Sequence, residues 1–303
     1  MISSNNRAEV AVLGAGIMGC CLALELAQRG YRVDLVDLGS APMTGASLHN
    51  EGKLHLGYVY ANDPLKITHG LMLRGSLAFS HIIEKLTGCA AEALSSSQPF
   101  QYYVPIDSQL SMTAIGDHFH EVEQAIHEQI KNFGHLYFNR KYDRYFKQNL
   151  PDAHCNSFSP ELTLGSFKTE ERSVCTADVA NILCRAVGKE PNINCILKTR
   201  VIAAERLSSG EVEIESNGGG KVSRATYSCV ANCLWDDRLR IDETAGIAND
   251  GPWISRYKAT ISISAPTVSC NRIPSATGIL GPYGDVVNHR DGSYYISWYP
   301  WIA

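Results

Sequence analysis

The strongest constraint on the fold is a set of three glycines between two short apolar segments near the start of the chain. The glycines are Gly14, Gly16 and Gly19. The apolar run Glu9–Leu13 precedes them, and Cys20–Arg29 follows with apolar residues at three- and four-residue spacing, which predicts a helix. Gly30 marks the expected helix end, and Tyr31–Leu38 is a second apolar run. Strand, glycine turn, helix and strand together predict a Rossmann-like βαβ unit.

The spacing of these glycines suits a diphosphate. The first permits the tight turn, the second lets the main chain approach a pyrophosphate, and the third lets helix and strand pack closely. Asp37 lies 18 residues past Gly19, where a carboxylate accepts ribose hydroxyls and disfavours a 2′-phosphate. The expected contacts are Gly14, Ala15, Gly16, Ile17, Met18, Gly19, Asp37 and Leu38. This pattern predicts an adenine dinucleotide and leaves FAD and NAD both open.

Composition excludes several other classes of protein. The chain has 303 residues, of which 45% are hydrophobic and 19% charged, a globular balance. A net charge of −4 argues against a nucleic-acid partner. The ten cysteines form no CxxC pair, which favours reduced thiols. The apolar stretch Val10–Ala27 is broken by the glycines and Glu25, so we expect a cytoplasmic protein with no membrane span.

The block Ala46–Tyr58 resembles the D-amino-acid oxidase and sarcosine oxidase-like superfamily of FAD-dependent oxidoreductases. Members carry a Ser or Thr, an Asn and a Gly here, in a segment that passes the pyrophosphate and runs beside the flavin ring. The strand around Thr199–Ile202 resembles the one whose valine backbone contacts adenine, and Asn232 resembles the strand that returns to the cofactor. The family's glycine after that Asn is here Cys233. The resemblance implies FAD contacts at Ser47, Asn50, Gly52, Lys53, Leu54, Arg200, Val201 and Asn232.

The resemblance also implies an α/β chain with two interleaved domains. Residues 1–80 and 157–237 are expected to form the FAD-binding domain, with a parallel sheet and a β-meander that includes Lys221–Ala231. Residues 81–156 and 238–303 are expected to form an α+β substrate domain. Strand-like patterns at Gln101–Pro105, Lys258–Ala265 and Ser293–Tyr299 predict a mixed sheet there. Relatives end with a further glycine-rich FAD-binding segment, so we expect this chain to be C-terminally incomplete.

Four residues are candidates for the chemistry at the site: His55, Lys53, Tyr58 and Arg256. His55 and Lys53 lie in the block that implies flavin contact, although His55 also suits a hydrogen-bonded scaffold role. Tyr58 and Tyr60 alternate on an expected strand, either lining a substrate cavity or packing. Arg256, with Lys258 at the start of a strand, suits a carboxylate clamp, although a surface ion pair is the commoner role.

No metal site is expected. His118, His120 and Glu121 stand close in sequence, but residues two apart point to different faces of a helix. A solvated helix over Asp117–Phe133 explains them better.

The sequence therefore predicts an FAD-dependent oxidoreductase that transfers a hydride from a C–N or C–OH bond of a small, carboxylate-bearing substrate to flavin N5. The electron acceptor stays open. Two alternatives also stay open: an NAD-dependent dehydrogenase, and a truncated, inactive nucleotide-binding remnant.

Overall fold

A computed structural model describes residues 9–149, 158–253, 258–265, 273–281 and 283–298. The helices are α1 (Ile17–Gln28), α2 (Ile67–Thr87), α3 (Met112–Phe133), α4 (Thr176–Lys189) and α5 (Arg238–Thr244). The strands are β1 (Val10–Leu13), β2 (Val33–Val36), β3 (Lys53–Leu54), β4 (Gln101–Pro105), β5 (Phe146–Gln148), β6 (Thr163–Thr169), β7 (Arg172–Ser173), β8 (Ile193–Ile196), β9 (Thr199–Arg206), β10 (Val212–Gly218), β11 (Lys221–Tyr227), β12 (Cys229–Asn232), β13 (Ala259–Ser264), β14 (Ala276–Gly278), β15 (Asp285–Asn288) and β16 (Ser293–Trp298). Short 3₁₀ turns cover Tyr58–Tyr60, Ala91–Ala93 and Tyr137–Asn139.

The chain forms two interleaved compact units, with boundaries that differ from the expected ones. The first unit comprises Met1–Asn50 and Thr176–Ile254, and the second comprises Glu51–Cys175 and Ser255–Ala303. Residues 51–80 and 157–175 join the second unit because β3 pairs with β7 and α2 packs on the 3₁₀ turn at Tyr137–Asn139. Residues 238–254 join the first unit because α5 packs on β9 and β12.

A parallel sheet in the order β12-β1-β2-β8 organises the first unit. β1 is central and fully buried, with Val10 aligned to Val33 of β2 and to Cys229 of β12. Helix α1 connects β1 to β2 and begins at Ile17, three residues before the predicted start. The glycine motif therefore extends into the first turn of the helix. These elements confirm the predicted α/β fold class.

The predicted β-meander is the antiparallel sheet β11-β10-β9. The segment Lys221–Ala231 divides after Tyr227 into β11 and β12, which belong to different sheets, and β12 coincides with the return strand expected around Asn232. The division lets β11 close the hairpin while β12 pairs in parallel with β1. The core packed between these sheets contains Ala11, Leu13, Val36, Val201, Ala204, Ile214, Tyr227 and Ile241.

The second unit contains the predicted mixed sheet, in the order β13-β16-β15-β14-β4-β6-β5. The β14–β4 pair is parallel, and the other neighbours are antiparallel. The expected strands at Gln101–Pro105, Lys258–Ala265 and Ser293–Tyr299 appear as β4, β13 and β16. A separate two-stranded sheet pairs β3 with β7, with Lys53 opposite Ser173 and Leu54 opposite Arg172.

An aromatic core packs beneath α3. Phe119 is fully buried, with its ring centre 4.3 Å from that of Phe167 and 4.5 Å from that of Tyr58. Tyr102 and Phe146 lie 5.7 and 5.5 Å from it. Edge and tilted ring contacts of this kind add to the free energy gained from burial.

The described residues contain no helix that is both long enough and apolar enough to cross a membrane. Within the same ranges, no three side chains are grouped as a metal would require. His118 is buried, with Nε2 3.1 Å from the Gly57 carbonyl oxygen, whereas Glu121 forms an ion pair with Lys66. The cysteines of the described ranges are free thiols at positions Cys20, Cys21, Cys89, Cys175, Cys184, Cys195, Cys229 and Cys233.

We expect Phe119→Ala to lower the free energy of unfolding by about 3–5 kcal/mol, because it leaves a cavity among packed rings. Phe133→Ala is the matched control, since Phe133 ends the same helix with 60% of its surface exposed. The control should change stability by less than about 0.5 kcal/mol. Urea denaturation measures both, and equal effects would contradict this description of the core.

Candidate active site

The turn between β1 and α1 brings main-chain segments closer together than a side chain allows. Gly14 has φ +96, and a Cβ there would lie 2.8 Å from the carbonyl oxygen of Cys233. A Cβ on Gly19 would lie 1.8 Å from the carbonyl oxygen of Gly14. The turn, the helix and the return strand β12 therefore meet through backbone atoms. We call the segment from Gly14 to Gly19 the glycine cradle.

Asp37 follows β2 and fixes this turn through its carboxylate. Oδ2 accepts a hydrogen bond from the Ala15 N–H at 2.6 Å, and Oδ1 accepts one from the Gly39 N–H at 2.6 Å. A carboxylate has about four acceptor positions, so each oxygen keeps capacity for one more donor. The predicted ribose contact is compatible with these bonds.

Exposed apolar side chains lie in the cradle and directly after Asp37. Gly16 precedes α1 without a side-chain cap, and Ile17, Met18 and Leu38 expose 38%, 64% and 64% of their surface. Helix N-termini attract anions, and exposed apolar side chains grouped beside one are typical of a ligand surface. The cradle therefore suits a molecule with a diphosphate and flat apolar parts.

The other predicted contacts of the first unit fall into two groups. Ser47 Oγ accepts the Ile17 N–H at 2.9 Å, and the Asn50 amide donates to the carbonyls of Ala46 and Ser47. Both residues therefore order the segment that leads away from the cradle. The N–H of Thr199, the first residue of β9, donates to the Asp37 carbonyl at 2.9 Å.

This bond places Arg200 and Val201 near the Asp37 turn. Arg200 is exposed and lies 3.3 Å from Asp237, while the Val201 carbonyl accepts a bond from Arg240. The side chain of Asn232 donates to the Arg238 carbonyl and to Asp242. Asn232 thus holds the start of α5, a role that the sequence did not predict.

In the second unit, six ionisable side chains form a closed circle in which acids and bases alternate. This charge ring comprises His55, Glu171, Lys53, Asp285, Lys258 and Glu51. Its inner members are almost fully buried: the side chains of Lys53, Glu171 and Asp285 expose 1%, 0% and 12%. The Lys53 ammonium lies 3.5 Å from Glu171 Oε1 and 3.3 Å from Asp285 Oδ1.

The outer members close the ring and are partly exposed. Lys258 binds Glu51 Oε2 and lies 3.8 Å from Asp285 Oδ2. His55 Nε2 is 3.9 Å from Glu51 Oε1, and Nδ1 is 3.5 Å from Glu171 Oε1. The His55 and Lys258 side chains expose 20% and 23%, so these two bases are the ring members most open to a ligand.

Strand pairing assembles the inner members. β3 carries Lys53 and pairs with β7, which directly follows Glu171. Asp285 on β15 faces Thr277 of β14 and Ser297 of β16, whose hydroxyls donate to it at 2.6 and 3.4 Å. The Lys53 ammonium also donates to the Thr277 hydroxyl at 2.6 Å.

The Glu171 carboxylate is held from several sides. It accepts the Leu56 N–H at 2.6 Å and the Tyr102 hydroxyl. Burial alone raises the pKa of a carboxyl, but the imidazole of His55, the Lys53 charge and the Tyr102 hydroxyl outweigh it and lower the pKa of Glu171 to about 2. Glu171 is therefore ionised at neutral pH despite being fully buried. The Lys53 ammonium also lies 3.8 Å from the centre of the Phe100 ring, a cation–π contact.

Two sequence-based candidates, Tyr58 and Lys53, are enclosed by other side chains. Tyr58 and Tyr60 lie on a 3₁₀ turn and not on the expected strand, because Gly57 has φ +117 and breaks the extended chain. Tyr58 is fully buried in the aromatic core, where burial raises the pKa of its hydroxyl well above 10. Lys53 is likewise enclosed by ring partners and aromatic rings. Arg256 lies outside the described residues.

The sequence reasoning did not identify Glu171, Asp285 or Glu51 as site residues. Glu171 and Asp285 are acids in segments with no motif of their own, and their partner Lys53 comes from a distant part of the chain. Glu51 lies in the Ala46–Tyr58 block, but its position there does not reveal its pairing with Lys258. The usable signal was an acidic residue inside an otherwise apolar strand pattern, as in Asp285-Val-Val287. Such a residue needs a buried cation, and Lys53 was the nearest candidate by chemistry.

Two known proteins are similar in sequence to short segments of the chain. A 44-residue segment is 50% identical to the tRNA 5-methylaminomethyl-2-thiouridine biosynthesis bifunctional protein of Ralstonia nicotianae, covering 14% of this chain and 7% of that protein. A 51-residue segment is 43% identical to D-amino acid dehydrogenase 2 of the same organism, covering 17% and 12%. The chain thus matches a small part of the length of either relative.

Solved structures show the same fold across nearly the whole chain. Glycine oxidase from Geobacillus kaustophilus aligns with a TM-score of 0.65 and 16% identity, covering 96% of this chain and 70% of the oxidase. L-α-glycerophosphate oxidase from Mycoplasma pneumoniae, solved with FAD bound, aligns with a TM-score of 0.62 and 16% identity, covering 96% and 71%. The model of the FAD dependent oxidoreductase family matches residues 9–240. The resemblance inferred from the motifs is confirmed, and the chain belongs to the FAD-dependent oxidoreductase family.

Proposed function

We propose that this chain binds FAD and oxidises a C–N or C–OH bond of a small, carboxylate-bearing substrate. The observation that carries the proposal is the glycine cradle with Asp37, whose close backbone approach and carboxylate suit a diphosphate and a ribose. Membership of the FAD-dependent oxidoreductase family supports FAD over NAD as the dinucleotide. When bound, FAD supplies the hydride acceptor for the reaction.

The fit to FAD rests on the backbone of the first unit. The positions where a Cβ would collide, Gly14 and Gly19, keep the turn tight. The half-buried Gly16 and the exposed Ile17 and Met18 leave the start of α1 open to an anion. Asp37 holds the turn and keeps acceptor capacity for a ribose hydroxyl.

The charge ring supplies the groups for a substrate in this proposal. His55 is the imidazole of the ring, a side chain that commonly serves as a general base, and it is partly exposed. Lys258, which pairs with Glu51 and lies 3.8 Å from Asp285 Oδ2, presents a partly exposed ammonium that attracts a carboxylate. A carboxylate-bearing amine or alcohol matches this pair of bases. D-amino acid dehydrogenase and glycine oxidase, which the chain resembles, are named for substrates of that class.

We expect Gly19→Ala to lower the affinity for FAD by about tenfold or more, because its Cβ would displace the Gly14 backbone that lines the cradle. Gly188→Ala is the matched control: the position lies in α4 of the same unit, and nothing lies within 4 Å of its Cβ. The control should keep the affinity and gain about 0.5 kcal/mol in stability. Quenching of FAD fluorescence measures binding, and equal affinity for both variants would contradict the cradle assignment.

We expect His55→Gln to slow anaerobic reduction of bound FAD by about 100-fold or more, since it removes the proton acceptor. The dissociation constant for FAD should change by less than about threefold. That is smaller than the tenfold change that corresponds to about 1.4 kcal/mol of binding free energy. His120→Gln is the control, because His120 is an exposed histidine on α3. Loss of the band near roughly 450 nm, followed over a panel of amino acids and 2-hydroxy acids, gives the rate.

Each alternative to the proposed function predicts a different result in these binding and reduction experiments. If FAD binds and His55→Gln reduces it at the wild-type rate, the chemical role of His55 is wrong. If NAD binds tightly and FAD does not, the dehydrogenase alternative replaces the proposal. If neither binds to folded protein, the chain is a non-catalytic remnant.

A further inference from the structure

We propose that Glu171 is a positioning residue that fixes a proton on Nδ1 of His55 and thereby leaves Nε2 as the nitrogen that accepts the substrate's proton. This inference rests on the proposed function for its chemical consequence. The proton position itself is a property of the chain without cofactor.

The first observation concerns the buried nitrogen of His55. Nδ1 is buried and has no hydrogen-bond partner in the described part of the chain. Its nearest acid is Glu171, with Oε1 at 3.5 Å. A lone pair on Nδ1 would face this negative oxygen and be repelled, whereas an N–H would be attracted. The geometry therefore favours the tautomer protonated on Nδ1.

The second observation is that Glu171 is unable to turn away. One oxygen accepts the Leu56 N–H at 2.6 Å, and the other accepts the Tyr102 hydroxyl and faces Lys53. These contacts keep the carboxylate ionised and fixed in direction. The His55 backbone is held as well, because the Ser76 hydroxyl donates to its carbonyl at 2.8 Å.

The third observation concerns the second ring nitrogen. Nε2 lies 3.9 Å from Glu51 Oε1, beyond hydrogen-bond distance. The other Glu51 oxygen is bound by Lys258. Glu51 is therefore placed to stabilise a proton that arrives on Nε2 without holding one there beforehand.

Charge balance favours uptake of a second proton by His55. The ring contains three carboxylates, Glu51, Glu171 and Asp285, and two ammonium groups, those of Lys53 and Lys258. While the His55 imidazole is neutral the ring is left with an excess of one negative charge, and a proton accepted at Nε2 neutralises it. The Tyr60 ring lies 5.6 Å from the His55 ring between centres.

The proposed oxidation transfers one proton from the substrate to His55. For a substrate H–C–X–H, where X is N or O, bound FAD would supply the acceptor for the C–H hydrogen and its electron pair. The X–H proton passes to Nε2, the C=X bond forms, and the imidazolium later returns the proton to water. Glu171 takes no proton in this sequence. It holds the ring in the orientation and tautomer that the step requires.

The direct test is nuclear magnetic resonance of the cofactor-free chain labelled with ¹⁵N-histidine, in which the His55 signals are assigned by their loss in His55→Gln. We expect the neutral ring of wild-type His55 to show the pattern of Nδ1–H. In Glu171→Gln the ratio of Nδ1–H to Nε2–H should fall by about tenfold, because a neutral acceptor holds the proton less strongly. Glu171→Asp, which restores the charge, should recover part of the ratio. Glu121→Gln, at an exposed ion pair of the same unit, should leave it unchanged.

Each outcome decides the inference. A wild-type ring protonated on Nε2, or a folded Glu171→Gln with the wild-type ratio, overturns it. If Glu171→Gln does not fold, the wild-type tautomer and Glu171→Asp still decide. In the FAD-loaded enzyme, Glu171→Gln should lower the rate of flavin reduction at least about tenfold and alter its pH profile, with FAD affinity unchanged. The tautomer result stands whether or not FAD binds, so failure of the proposed function is distinguishable.

Discussion

The contact of bare backbone at Gly14 and Gly19 is the constraint on which the nucleotide-binding part of the molecule depends. The return strand β12 ends at Asn232, and the Cys233 carbonyl then lies where a Gly14 side chain would be. Helix α1 is able to start directly above β1 only because Gly19 presents no Cβ to the Gly14 carbonyl. Asp37 closes the arrangement by binding the Ala15 N–H. Three strands of the parallel sheet thus converge on one turn, and that turn is the surface that suits a diphosphate.

The charge ring has a different energetic character. Removing Glu171 and Lys53 from water costs free energy that their mutual attraction repays only with good geometry, and an apolar pair of similar size is often equally stable. Hydrogen bonds from the Leu56 amide and the Tyr102 hydroxyl to Glu171, and from Lys53 to the Thr277 hydroxyl, offset part of this desolvation free energy. The proposed chemistry at His55 gives this buried ionic network a role besides stability.

Local signals predicted much of the first unit. The glycine spacing, the apolar periodicity of α1 and the acid after β2 all lie within about 30 residues of one another. A local stretch of sequence was therefore sufficient to predict this βαβ unit. The exact helix start was missed because Ile17 and Met18 belong both to the turn and to the first helical turn. The strand expected at Tyr58–Tyr60 was wrong for an equally local reason, the positive φ of Gly57, which alternating side chains do not reveal.

The charge ring depends on distant partners and was therefore only partly foreseen. His55 and Lys53 were identified from the family resemblance. Glu171 binds Leu56 across 115 positions, and Asp285 binds Lys53 across 232. These pairings follow from β3 joining β7 and from the order of the mixed sheet, which no short motif encodes. The same long-range pairing moved the domain boundary to residue 51.

The most direct test of the account is the visible absorption spectrum of the purified chain, supplied with FAD, freed of unbound cofactor, and measured before and after acid precipitation. We expect bands at roughly 370 and 450 nm that travel with the folded protein, as oxidised flavin requires. Release of the bands into the supernatant after acid would identify non-covalent FAD, and retention in the pellet would identify a covalent link. A folded protein that stays colourless after exposure to FAD would contradict the central claim.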